Sequence, residues 1–196
     1  MIQTVSQLLL TILGGVITGG VGLLLSRSED ARKKKNLQKL LIVGICDDLE
    51  LSLQLYDKVA EEFEKSKVIW LSTLNELRES RQTYKNNKDF ITLFDDEKLR
   101  IDIFRYYNRT GDIISTLEYQ QKRRMVIEDN FSNAVHAKMS QNPELKKADA
   151  EAIVLMINEA EAKEYQMLTI NIPATIHNLK EFKTTAIELI RQLKDK

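Results

Sequence analysis

The first charged side chain of this protein is Arg27, and six basic residues then fall within positions 27–39. Residues 2–26 are long enough to cross a bilayer as a helix, which takes about 20 mostly apolar residues. Beyond them, apolar positions recur at spacings of three and four, the period of helices with one buried face. Leu37, Leu41, Ile45, Leu49, Tyr56, Ala60 and Phe63 predict a helix over 29–65, with no Pro or Gly to separate it from the apolar stretch. Trp70, Leu74, Leu77 and Tyr84 predict a second over 67–84; Asn86, Asn87 and Lys88 break the pattern, and 90–94 is a short apolar connector. Asp95 or Asp96 is a natural N-cap for a third helix. It carries Leu99, Ile103, Tyr107, Ile114 and Leu117 in phase across Gly111 and reaches about Met139, with a break at 110–112 as the alternative. Asn142-Pro143 predicts an N-cap followed by Pro at the first helical position. Ile153, Ile157, Ala160 and Met167 mark the next helix, which Pro173 kinks or ends. Leu179, Phe182, Ala186, Leu189 and Leu193 mark the last. Nothing alternates with period two. The expected fold is all-α: one N-terminal transmembrane helix, then a cytoplasmic antiparallel bundle of four or five long helices.

The apolar stretch has two faces. At about 100° per residue, Thr4, Gln7, Thr11, Gly14 or Gly15, Thr18, Gly22 and Ser26 fall on one stripe, and Leu9, Ile12, Leu13, Val16, Ile17, Leu23 and Leu24 lie opposite. Lipid tails supply no hydrophobic force between helices, so small and polar residues are where membrane helices approach and bond, at about 0.6–2 kcal/mol per polar contact. Gly15 and Gly19 also form a G-x-x-x-G. The expected oligomer interface or lumen is Thr4, Gln7, Thr11, Gly14, Gly15, Thr18, Gly19 and Gly22. One stripe suffices for a helix pair. Gly20, nearly opposite Gly22, leaves small residues on more than one side and suits a ring around a polar lumen.

Charge sets the orientation. Basic residues beside a span stay cytoplasmic, so the N-terminus is expected outside and the domain inside, in a bacterial inner membrane. Arg27, Arg32, Lys33, Lys34 and Lys35 are expected to meet anionic lipid headgroups, at about 1 kcal/mol each. A cleaved signal would need a positive n-region, a shorter apolar core and an A-x-A-like site, and the sequence has none of them. The expected division is therefore 1–26 transmembrane, 27–39 basic juxtamembrane and 40–196 helical bundle. The whole chain of 196 residues balances 29 basic against 29 acidic side chains, without the positive excess of a general nucleic-acid binder. Five of the 7 glycines lie in the apolar stretch, which leaves the remainder a helical composition. The single cysteine, Cys46, excludes an intramolecular disulfide and reads as a small core residue.

Candidate chemistry is sparse. His136 and His177 have no His or Cys at i+3 or i+4, so no local zinc pattern exists, and neither has a catalytic partner nearby in sequence. Asp47, Asp48 and Glu50 point to different sides of one helix and read as solvated charge. Lys122, Arg123 and Arg124 read as surface, and Phe104, Tyr106 and Tyr107 as packing. No cofactor or metal is expected, and no enzyme activity.

In its single span, its length and its helical domain, the chain resembles small bacterial defence-associated membrane proteins, among them the accessory protein of type VI-B CRISPR loci. That resemblance implies an oligomeric membrane pore with a divergent HEPN-like cytosolic domain and an antiviral role. HEPN nucleases carry an Arg, then four to six residues, then a His. Here Asn130 and Asn171 stand six residues before the two histidines, which argues against nuclease chemistry. The function expected is a homo-oligomeric single-pass membrane protein, pore-like or membrane-disturbing, under control of its bundle. The alternative is a membrane-tethered adaptor for a cytoplasmic protein partner.

Overall fold

The structure is a computed structural model describing the backbone of residues 2–195 and the side chains of residues 30–195. The described chain is all-helical: α1 (Ile2–Ser66), α2 (Leu71–Glu79), α3 (Gln82–Asn87), a 3₁₀ turn (Lys88–Leu93), α4 (Glu97–Gln141), α5 (Lys147–Ile157) and α6 (Glu159–Lys194). Most of the length lies in three helices, α1, α4 and α6. Among the described residues no helix is long and apolar enough to cross a membrane. The stretch expected to do so, with Thr4, Gln7, Thr11, Gly14, Gly15, Thr18, Gly19, Gly22 and Arg27, falls where side chains lie outside the described residues.

Side-chain links between helices give the topology. Lys34 reaches Asp95 (3.3 Å), Tyr56 shares a hydrogen bond with Tyr106 (2.7 Å), and Arg124 donates to the Lys67 carbonyl. α1 and α4 therefore run parallel. Lys58–Glu76 (2.7 Å) and Ser52–Ser80 (3.0 Å) turn α2 back along α1. Lys194–Glu50 (2.9 Å) and Lys183–Asp57 (2.7 Å) set α6 antiparallel to α1. The result is an up-down-up-down square whose second leg is broken into α2, α3 and the 3₁₀ turn. At the proximal end, Leu41, Ile45, Leu49, Phe94, Ile103 and Leu189 form one core cluster; further along, Val59, Leu74, Leu77, Ile114, Leu117 and Ile172 form a second.

α1 is one unbroken helix of 65 residues, about 100 Å at 1.5 Å per residue. It ends because Lys67 takes a left-handed conformation (φ 57°), with its N–H on the Phe63 carbonyl at 2.9 Å. That conformation costs a non-glycine residue about 1–2 kcal/mol, and the Arg124 guanidinium on the Lys67 carbonyl helps hold it. Glu62 then organises the next start, accepting from the Trp70 N–H (3.1 Å) and the Thr73 hydroxyl (2.7 Å).

Several expectations are corrected. The helix expected over 67–84 starts at Leu71 and splits after Glu79, because the Ser80 hydroxyl donates to the Leu77 carbonyl and competes with the helical ladder. Trp70, expected on a buried face, precedes α2 and is exposed, as is Leu37. Asn142 caps the C-terminus of α4, and its carbonyl accepts from the Leu145 N–H (2.9 Å). Pro143 therefore fills the second position of a turn, where its fixed φ is equally suited. Ile153, Ile157, Ala160 and Met167 are exposed, while Ala150, Val154, Leu168 and Ile172 face inward. Pro173 stays inside α6. Its ring is on the solvent side, and the buried Leu168, Ile172, Ile176 and Leu179 hold the helix against the core on both sides of it.

Candidate functional site

Three places carry more than packing. The first is the basic collar. Arg32, Lys33, Lys34 and Lys35 are all exposed on α1, and the Lys34–Asp95 pair ties the collar to the start of α4. Asp96 caps that start, accepting from the Leu99 N–H at 3.0 Å.

The second is a polar seam through the core. Asp48, Ser52 and Tyr56 lie four residues apart, hence on one face of α1. Asp48 is only 8% exposed, a correction to its reading as solvated charge; Asp47 and Glu50 are exposed. Its carboxylate accepts from the Tyr84 N–H at 3.0 Å, and burial outweighs this bond and those from Thr83, raising its pKa above the aspartate range. Tyr84 stacks on Tyr107 with ring centroids 4.0 Å apart. The Arg81 guanidinium lies 5.7 Å from the Tyr107 ring centre and donates to the Tyr107 carbonyl. Burial also raises the pKa values of the Tyr56, Tyr106 and Tyr107 phenols, so they stay neutral, and the Tyr56 and Tyr106 hydroxyls share one hydrogen bond. Two close approaches frame the seam. A Cβ on Gly44 would lie 2.5 Å from Thr83 Cγ2, and one on Gly111 would lie 2.8 Å from an Arg81 nitrogen. Gly111 thus sits inside an intact α4 because Arg81 occupies the space beside it.

The third is a hollow of about 490 Å³ between α4 and the α5–α6 junction, lined by Ile127, Phe131, Leu155 and Tyr165 with Glu128 and Glu161. The Tyr165 hydroxyl donates to Glu128 at 2.9 Å, and Asn130 donates to Glu161 at 3.2 Å.

No family model, curated protein or solved structure matches this chain. Function must therefore follow from the chemistry of these places. His136 and His177 are exposed, His177 lying 3.6 Å from Glu181. Among the described residues no group of three or more His, Cys, Asp or Glu could hold a metal ion. The basic run is engaged within the fold: Arg123 makes a two-pronged pair with Glu164 (2.7 Å each), and Arg124 holds Glu128 and the Lys67 carbonyl. Cys46 is buried in the first core cluster, and Tyr106 and Tyr107 are buried, whereas Phe104 is exposed. Sequence reading missed the seam, although the i, i+4, i+8 spacing of Asp48, Ser52 and Tyr56 on an otherwise apolar face was its signal. The hollow had no such signal, because it depends on how α5 leaves α4.

Proposed function

We propose that this protein is a single-pass membrane protein that homo-oligomerises through residues 2–26, with its helical bundle on the cytoplasmic side. One observation carries the reading: the charge-free stretch and the buried face of the bundle belong to one continuous helix, Ile2–Ser66. A tether that only localised a domain would need no such continuity. A helix without a break transmits rotation and tilt between its ends, and only sharp kinks or breaks absorb them. The polar seam suits that role, because Asp48, Ser52 and Tyr56 lock α1 to α3, α2 and α4 by directional bonds. A pore-like ring, in an antiviral defence role, is the sharper form of the proposal. Its support is the stripe Thr4, Gln7, Thr11, Gly15, Thr18 and Gly22 together with Gly20 on another face.

The test is the mass of the full chain in mild detergent. The wild type is expected as an oligomer; Gly15→Leu and Gly22→Leu are expected to fall to monomer while still fractionating with membranes. A monomeric wild type overturns the reading. The second reading, a tethered adaptor, draws on the exposed apolar surface of α5 beside the hollow. Replacing residues 2–26 by an alternating Leu-Ala helix separates the two, since only the adaptor keeps its activity.

A further inference from the structure

The bundle is built on one side of α1. Eighteen residues make five turns of a helix, so positions eighteen or thirty-six apart on the unbroken α1 share one angular position. By that measure the core residues Leu41, Ile45 and Leu49 stand in line with Leu23, Leu9 and Leu13, on the side of the apolar stretch that suits lipid. The opposite side is uncovered along the proximal half of the bundle: Leu37 is 48% exposed, Leu40 70%, Val43 58% and Leu51 46%. These four stand in line with Gly19, Gly22, Gln7 and Gly15, all positions of the expected membrane interface.

A helix face that meets only water is normally polar. Asn36, Leu37, Leu40 and Val43 instead make an uncharged run on this side, followed by Asp47 and Leu51. Nearer the apolar stretch the same side carries Glu29 and Lys33, four residues apart and opposite in sign. Leu37 and Leu40 also wall a recess of about 190 Å³ closed by Thr83, Asn87 and Phe90. The row therefore has a ridge at Val43 along one edge and a hollow along the other.

We propose that this row is the cytoplasmic continuation of the self-association surface, with α1 of a second, parallel copy lying against Leu37, Leu40 and Val43. The proposal rests on the membrane reading above and extends its contact beyond residues 2–26. Phase selects a second copy: chains that meet through Gly15, Gly19 and Gly22 turn this side of a continuous helix toward one another. The bundles then hang outward, on the far side of each α1, where they leave the approach clear. Distance excludes a bilayer as the occupant. Leu40 lies about 21 Å beyond Ser26 along α1, whereas a headgroup layer is about 5–8 Å thick. Glu29 and Lys33 fall about 5–10 Å beyond Ser26, where headgroups and water solvate both. Ridge and hollow on opposite edges are what successive copies about an axis require, since each contact joins two different surfaces.

The test uses the full chain in mild detergent with Cys46→Ala and a single new cysteine, either Leu40→Cys in the row or Asn108→Cys, exposed on α4, as the control. Under mild oxidation Leu40→Cys is expected to give at least tenfold more covalent dimer than Asn108→Cys. Equal yields from an oligomeric chain overturn the proposal and leave the membrane contact standing; a monomeric wild type overturns both. In a second arm, Leu40→Glu with Val43→Glu is expected to keep the helical circular dichroism and to weaken self-association at least tenfold. Unchanged association overturns the proposal. In the oligomer, Leu40→Cys is expected to resist a polar maleimide that labels Asn108→Cys. Full labelling would leave the row open for a different protein, and protection that appears only on adding phosphatidylglycerol vesicles would assign it to lipid; either result overturns the proposal.

Discussion

Gly44 shows how a single missing side chain sets a helix contact. Its absent Cβ lets α3 bring Thr83 against α1, and Thr83, branched at Cβ, has little rotamer freedom to withdraw. Ala is the better helix former by about 1 kcal/mol, yet overpacking costs about 1–3 kcal/mol. Gly44→Ala is therefore expected to destabilise the full chain by about 1 kcal/mol net, read as a drop of about 2–4 °C in the thermal midpoint followed by circular dichroism. Asp48 makes the second residue-scale prediction. Burial raises its folded pKa above the unfolded value, so between those values the folded state holds a proton that the unfolded state has released. The stability it contributes is greatest below the unfolded pKa of about 3.9 and is lost as pH rises through the folded value. Glu164 and Glu188, whose pKa values are lowered by Arg123 and Arg191 respectively, act with the opposite sign. A variant-minus-wild-type comparison isolates Asp48. Asp48→Asn keeps an acceptor for the Tyr84 N–H and removes the buried charge, so its stability relative to wild type is expected to increase from pH 4 to pH 7. A pH-independent difference would refute that account.

Among the elements, α6 is the one that defied a local rule. A proline inside a helix removes one hydrogen bond and costs about 3 kcal/mol, and α6 nevertheless continues through Pro173. Burial of Leu168, Ile172, Ile176 and Leu179 outweighs that local cost. Pro173→Ala is expected to stabilise the chain by about 1–3 kcal/mol, measured as a raised thermal midpoint. The N-cap at Asp96, the continuity of α4 across Gly111 and the stripe on the last helix were all legible, because each is written in residues within two turns of one another. The split at Ser80 and the turn at Pro143 were not. Each depends on a hydroxyl or a carbonyl choosing between local partners, and that choice is made by what packs against the segment, here Ser52 of α1 against Ser80. The polar seam was half legible: its spacing on α1 could be read, but Arg81, Tyr84 and Tyr107 come from elements that only the fold brings to it.

At the scale of the molecule, the proposed orientation rests on charge. Replacing Arg32, Lys33, Lys34 and Lys35 together by Glu is expected to abolish the uniform topology, read by protease protection of the bundle in membrane vesicles. A single protected population identical to wild type would count against the assignment of sides. The loss of the Lys34–Asp95 pair in this variant is expected to have little effect on folding, since surface pairs contribute about 0–1 kcal/mol. The sequence by itself determined the helical class, because 3.6-residue periodicity, a few caps and the scarcity of Gly and Pro are local properties that the chain carries without a partner. It also determined where charge is absent and where it crowds. The tertiary structure decided which apolar stripes are buried. Around α5 and the start of α6 two faces are apolar, and periodicity chose Ile153, Ile157, Ala160 and Met167. The fold covered Ala150, Val154 and Leu168 instead, because α1 and α2 end before they can reach the other face. Periodicity records that a face is apolar; only the lengths and ends of neighbouring helices decide whether anything within the same chain covers it.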